Sequence, residues 1–207
     1  MRYKAYPKYK DSGVEWLGDV PEHWEIKSLK HIKSSKKNSF VDGPFGSNLK
    51  SKHYLNNGEV YVIESNFATQ NILNTSRLKR ISYEHFMTIN RSEVKEKDIV
   101  IAKIGAQFGK SSIFPKLDKV AVISGNSLKL TVNRAITTVE YIHYILIHLK
   151  NDGAIDDMVN STAQPAISLN GMNNLKITFP PLKEQTQIAT YLDQKNKKID
   201  TLTQTAS

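Results

Sequence analysis

The chain has 207 residues, 39% hydrophobic and 24% charged, a balance that reads as soluble and globular with one core, or one core plus an appendage. It contains no cysteine, which excludes disulfides, zinc fingers and thiolate nucleophiles together. Its 29 Lys plus Arg against 20 Asp plus Glu give a net charge of +9, which favours polyanionic partners through counterion release and also serves plain solubility. No run approaches the ~18 apolar residues of a membrane helix, so no membrane partner is expected. The basic stretch Met1–Gly13 lacks an apolar segment behind it, so no secretion signal is expected, and a cytoplasmic location fits.

The first ~35 residues read as irregular and aromatic, because Tyr3, Tyr6, Tyr9, Trp16 and Trp24 fall among Pro7, Gly13 and Pro21. No helix is expected there; an extended segment strapped over a core, with the tryptophans as anchors, is. The basic run Lys27, Lys30, Lys33, Lys36 and Lys37 has the spacing of a solvated helix face. From Phe40 to Leu130 short β-type runs alternate with turns. Strands are expected at 59–63 after Asn57-Gly58, at 98–104 as a buried apolar run ended by Gly105, at 119–123 and at 127–132.

Helical periodicity follows in Val139, Ile142, Ile145, Leu146 and Leu149, with Thr137 and Thr138 as caps and Gly153 beyond the end. A last strand at 175–179 runs into Pro180-Pro181, which cannot continue a ladder and marks a boundary. From Lys183 onward neither proline nor glycine occurs, and Ile188, Leu192, Ile199 and Leu202 repeat at coiled-coil spacing, with Lys195 interrupting the seam. Two heptads do not hold a free helix, so the stripe needs a partner, either its own domain or another helix. The fold class is thus α+β: a β-rich domain over 1–181, then a projecting coiled-coil-type helix over 182–207.

Catalytic motifs do not assemble. Gly105-Ala106-Gln107-Phe108-Gly109-Lys110-Ser111 has three residues between its glycines where a phosphate loop needs four, and Pro115 blocks the helix that should follow. Glu93-Val94-Lys95 suits half of a nuclease site, but Glu25-Ile26-Lys27 and Asp193-Gln194-Lys195 match equally well, as chance gives in a lysine-rich chain. No histidine pair has metal-ligand spacing, and the glycine loop and Asn/Asp-Pro-Pro-aromatic motif of a methyltransferase are missing. Two loops have the chemistry to grip DNA or to be plain surface: 42–52, with small donors and two lysines, and 161–168, where Gln164 could read an adenine edge.

Four ordered stretches resemble the DNA-specificity subunits of type I restriction-modification systems. They are the opening Tyr9–Trp24, the loop Asp42-Gly43-Pro44-Phe45-Gly46-Ser47, the strand-turn Lys97–Ala106, and Pro180-Pro181-Leu182-Lys183-Glu184-Gln185 with the helix after it. The resemblance implies one target-recognition domain and the start of one spacer helix, where a complete subunit carries two of each. It implies no catalysis and no cofactor in this chain; S-adenosylmethionine, ATP and Mg belong to partner subunits. The implied partners are double-stranded DNA, methyltransferase subunits, the restriction subunit, and a second half that another copy could supply as a homodimer.

By loop position, the DNA contacts expected are Ser47, Asn48, Lys50, Lys52, Lys103, Gln107, Lys110 and Gln164, with Arg77, Lys79 and Arg80 on phosphates. Ile188, Leu192, Ile199 and Leu202 are the expected pairing stripe. The rival readings are an interaction module that occupies methyltransferase subunits without binding DNA, and a small metal-dependent nuclease.

Overall fold

The computed structural model describes residues 5–71, 73–159 and 165–205. Two four-stranded sheets form the frame. One has the order β6-β5-β10-β7, from β5 (Val60–Ile63), β6 (Lys79–Ile81), β7 (Glu93–Val94) and β10 (Ala121–Ile123). The other has the order β4-β11-β8-β9, from β4 (Phe40–Asp42), β8 (Ile99–Ala102), β9 (Ser111–Ile113) and β11 (Ser127–Leu130). Every named pairing is antiparallel except β5 with β10.

The strands read as continuous apolar runs because both of their faces are buried. Successive side chains on a strand point to opposite faces, and here each face meets a different core. Ile99 and Ile101 enter a core shared with α4 (Val139–Asn151) and α5 (Leu169–Asn174), whereas Val100 and Ala102 face a second core containing Tyr61, Ile63, Ala121 and Ile123. That second core is closed by Phe67 and Ala68 of α2 (Ser65–Gln70). Val60, Val62 and Val122 turn the other way, onto Phe86 and Ile89 of α3 (Tyr83–Ile89). An ion pair lies inside: Lys129 sits 3.8 Å from Asp98, with side chains 8% and 3% exposed. Desolvation raises the Asp98 pKa and lowers that of Lys129, and Thr131 and the Lys95 amide bond the carboxylate.

The four strands anticipated between residues 59 and 132 are present, somewhat shorter, as are α4, capped by Thr138, and the strand before the double proline. The N-terminal reading needs correction. The segment does strap the core, but it contains strands β1 (Tyr9–Asp11), β2 (Asp19–Pro21) and β3 (Glu25–Ser28), a 3-10 turn at Glu15–Leu17, and a short helix α1 (Leu29–Ile32). Leu29 and Ile32 are buried, so tertiary burial makes a helix where the surrounding Pro and Gly argued against one. The basic run is therefore no single helix face: Lys27 lies on β3 over the Phe179 ring, and Lys36 and Lys37 lie in a loop. β3 pairs with β12 (Lys176–Phe179), tying the two ends of the domain together.

Helix α6 (Leu182–Thr205) starts directly after the prolines. Its root is built into the domain. Gln185 is fully buried; its amide donates to Pro180 O at 2.9 Å and Ile136 O at 3.3 Å, and accepts from Thr137 Oγ1 at 2.7 Å and Thr138 N at 3.2 Å. Glu184 accepts from Tyr6, Trp24 and His23, and Trp16 Nε1 donates to Lys176 O at 3.5 Å, so both tryptophans anchor the strap through their indole N–H groups. Burial alone would raise the Glu184 carboxyl, but these hydrogen bonds outweigh it and hold the pKa below the ordinary value. The expected stripe therefore divides. Ile188 packs on the first core and Leu192 is half-buried, while Ile199 and Leu202 are 59% and 69% exposed. Tyr144 of α4 bonds Asp193 and Asn196, and the nine residues from Lys197 to Thr205 continue for about 13 Å of helix.

Candidate nucleic-acid interface

Strand direction gathers the expected contact residues at one end of the paired sheets. β4, β5, β8 and β10 finish there, and β6, β9 and β11 begin there, as the registers Asp42↔Leu128, Ser127↔Ala102, Ile101↔Ser111, Ile63↔Ile123 and Val62↔Lys79 establish. The loops at this end are 43–53, 64–66, 103–110 and 124–126, together with the turn at Thr75–Arg77. Ser47, Asn48, Lys50, Lys52, Arg77, Gln107 and Lys110 are all exposed there. Lys36 lies at the opposite end, before β4 begins.

The loop ends are rigidly mounted. Residues 41–44 are buried, and the backbone at Gly43 lies so close to Ser124 that an added Cβ would stand 1.9 Å from its carbonyl oxygen. Only glycine fits such an approach. Asp42 then gathers the surroundings: its carboxylate takes Arg91 Nη2 at 2.7 Å and Lys103 Nζ at 3.1 Å, and its backbone oxygen takes Ser92 Oγ at 3.0 Å. The turn after β8 is anchored from inside by buried Phe108, with Gly109 at φ +81° and Lys150 Nζ 3.9 Å from the Phe108 ring. Gln107 and Lys110 stand outward on either side.

Three of the expected contacts also engage groups within the chain. Lys103 is only 14% exposed and committed to Asp42, with its ammonium 5.0 Å from the Phe45 ring. Lys79 pairs with Glu64 at 2.7 Å and lies over Tyr54, and Arg80 covers Tyr61. Gln164 lies outside the described residues. The chain that follows it is ordered beside the strand-end turn, with Ala166 bridged to Ile104 and Gly105 N donating to Pro165 O.

Between loops 44–54, 64–66 and 124–126 runs a cleft of about 420 Å³, lined by Ser65, Asn66, Ser124 and Asn126. Tyr54 also lines it, and the next residue in the chain, His53, stacks on His85 at 3.9 Å. Desolvation, then the His85 ring and Lys52 and Lys50, lower the His53 pKa, which suits its Nδ1 to accept the Lys50 N–H at 3.1 Å. Sequence reasoning missed Arg91, Asn66 and Asn126, because nothing near them in the chain marks them; only the strand ends bring them in. Among the described residues, no group of three His, Cys, Asp or Glu side chains comes together as a metal site.

The model of the type I restriction modification DNA specificity domain matches residues 21–207. The chain belongs to that family. The type I restriction enzyme MjaVIII specificity subunit of Methanocaldococcus jannaschii is 29% identical over 185 residues, 88% of this chain and 38% of its own length. The HsdS subunit from Thermoanaerobacter tengcongensis shares the fold at TM-score 0.65 and 16% identity, over 96% of this chain and 43% of that one. A chain from a structure addressing complex assembly and conformational transition of the type I restriction-modification system gives 0.69 at 17% identity, over 91% and 42%. The specificity domain described here thus spans about two fifths of the length of the relatives it matches. The α+β architecture of this chain, with its long C-terminal helix, is the one expected from the sequence.

Proposed function

We propose that this specificity domain binds duplex DNA with its loop end, reads one half of a bipartite site, and performs no chemistry itself. The observation that supports this best is the convergence of exposed Lys50, Lys52, Arg77 and Lys110 with the amide-lined cleft on one rigid end. Lysines and arginines supply phosphate contacts that fix orientation, while Asn66 and Asn126 have the paired donor and acceptor that an adenine edge requires. α6 serves as the scaffold for methyltransferase subunits, which recruit the restriction subunit, and S-adenosylmethionine, ATP and Mg act on those partners. Base flipping for methylation falls to the partner as well. The exposed Ile199 suits α6 to pair with a second such helix, from another copy or a distinct second half. A cytoplasmic location follows from acting on DNA.

The test is fluorescence anisotropy of the chain, with and without methyltransferase subunits, on duplexes carrying the motif found by methylome sequencing of cells with and without the gene. About five or six phosphate contacts predict a log-log salt slope near −5. Binding indifferent to salt, or a methylome unchanged by the gene, would refute the reading.

A further inference from the structure

Phe45 is the anomaly of the loop end. The four residues before it are buried, yet Phe45 itself is 61% exposed, at the head of a loop whose base is packed against Ser124 and Gly125. An added Cβ on Gly125 would stand 2.6 Å from Pro44 O, so the two loop bases are in backbone contact. Pro44 fixes its own φ directly before the ring. Asp42, two residues further back, is held by Arg91 and Lys103. The Lys103 ammonium lies 5.0 Å from the ring centroid, and a small cleft of about 80 Å³ separates the ring from Thr88, Ile89 and Arg91. The ring is therefore aimed as well as exposed.

A single exposed apolar side chain is ordinary by itself, but one held on a rigid mount among cations gains its burial when a ligand covers it. The surroundings restrict what that ligand is. Lys103 and Arg91 share the single Asp42 carboxylate, and exposed Lys50 and Lys52 follow in the same loop, a net cationic setting that suits a ligand with an anionic exterior and flat, apolar surfaces inside. Stacked nucleobases between phosphate strands have that construction. Apolar wedges such as phenylalanine enter base steps and partly unstack them, at a cost of a few kcal/mol repaid by added contact. A rigid mount is what makes such a wedge effective, because little loop entropy is lost on insertion.

We infer that Phe45 is a wedge that inserts at a base step of the bound duplex, unstacking it and fixing the domain's register on the DNA. The inference rests on the DNA-binding reading above and adds to it a contact with the faces of bases, beyond their edges and phosphates.

The experiment uses the full chain and a duplex selected by it from a pool of 40-base-pair random sequences, with 2-aminopurine placed in turn at each purine. Wild type should raise 2-aminopurine fluorescence at one step. Phe45→Ala should abolish that rise and weaken binding about tenfold or more, and Phe45→Leu should retain most of both. Because the ring is largely exposed, Phe45→Ala should melt within a few degrees of wild type, which separates a lost contact from a lost fold. If no duplex is selected, the DNA reading fails and the wedge with it. If wild type and Phe45→Ala bind selected DNA alike, the wedge alone is overturned. A loss reproduced by replacing thymine with uracil would assign the ring to a methyl group in the groove, and a loss of methyltransferase binding with DNA affinity intact would assign it to protein; either result overturns the wedge.

Discussion

The buried Gln185 amide tests how the root of α6 is held. It makes four hydrogen bonds, two as donor and two as acceptor, and every partner belongs to another segment of the chain or to the turn before the helix. Each such bond contributes about 1 kcal/mol net, so their joint loss in Gln185→Ala should cost about 4 kcal/mol. For a domain of this size that lowers the melting temperature by about 10 °C. Gln185→Leu fills the space but takes the amide from Pro180 O, Ile136 O and Thr138 N, leaving only Thr137 Oγ1 with another acceptor, Thr138 O, so most of the loss should persist. Gln185→Glu keeps the acceptors but faces two carbonyl oxygens with a carboxylate, and should be worse at neutral than at mildly acid pH. Urea unfolding gives the free energies, and hydrogen exchange over 182–196 shows whether the helix root loosens first. A cost below about 1 kcal/mol for Gln185→Ala, or a leucine variant as stable as wild type, would refute the assignment of this amide as the anchor.

Lys110→Ala should weaken DNA binding several-fold and reduce the salt slope by about 1, as the loss of one phosphate contact does, while Lys36→Ala at the opposite end should do little. Lys103→Ala should also weaken binding but leave the slope nearly unchanged, because it frees Asp42 and the Phe45 loop; equal changes from all three would mean the face is misplaced. Glu184, with its folded pKa below the unfolded value, contributes stability that is present above about pH 4.5 and is lost as pH falls through the lowered value. Acid titration of wild type against Glu184→Gln should show a flatter acid limb in the variant, and parallel curves would remove the carboxylate from the account. Light scattering in the presence of methyltransferase subunits should give two copies per complex for the full chain and one for a version ending at Pro181; a single copy in both would mean the second half is a different chain.

The sequence disclosed elements whose signals are local. Ile99–Ala102 and Val60–Ile63 are unbroken apolar runs because cores lie on both sides, and α4 repeats its apolar face over thirteen residues. Helices α2, α3 and α5, of six or seven residues, give periodicity too few turns to register, and only caps such as Ser82 and Ser168 mark two of them. At the interface, loop position placed Lys50, Lys52 and Lys110 among exposed loop residues, but did not show which cations pair within the chain. Lys103 binds a carboxylate 61 residues away, and Arg91 one 49 residues away, which no local pattern encodes. The apolar stripe of α6 was legible as a stripe, yet its division between root and tip depends on Tyr144 and the first core, far back in the chain.

The closure of β3 on β12, and of Tyr6 on Glu184 across 178 residues, has a consequence for the order of events during synthesis. Contacts so distant along the chain form late, because the loop between their ends must close first. The inner sheets can assemble while the last segment is still being made, but the strap, β12 and the helix root must wait for one another. α6 therefore acquires its direction only when the domain behind it is complete. A partner that recognises the seated helix would meet it only on molecules whose loop end is already formed, so folding itself would act as the inspection step before assembly.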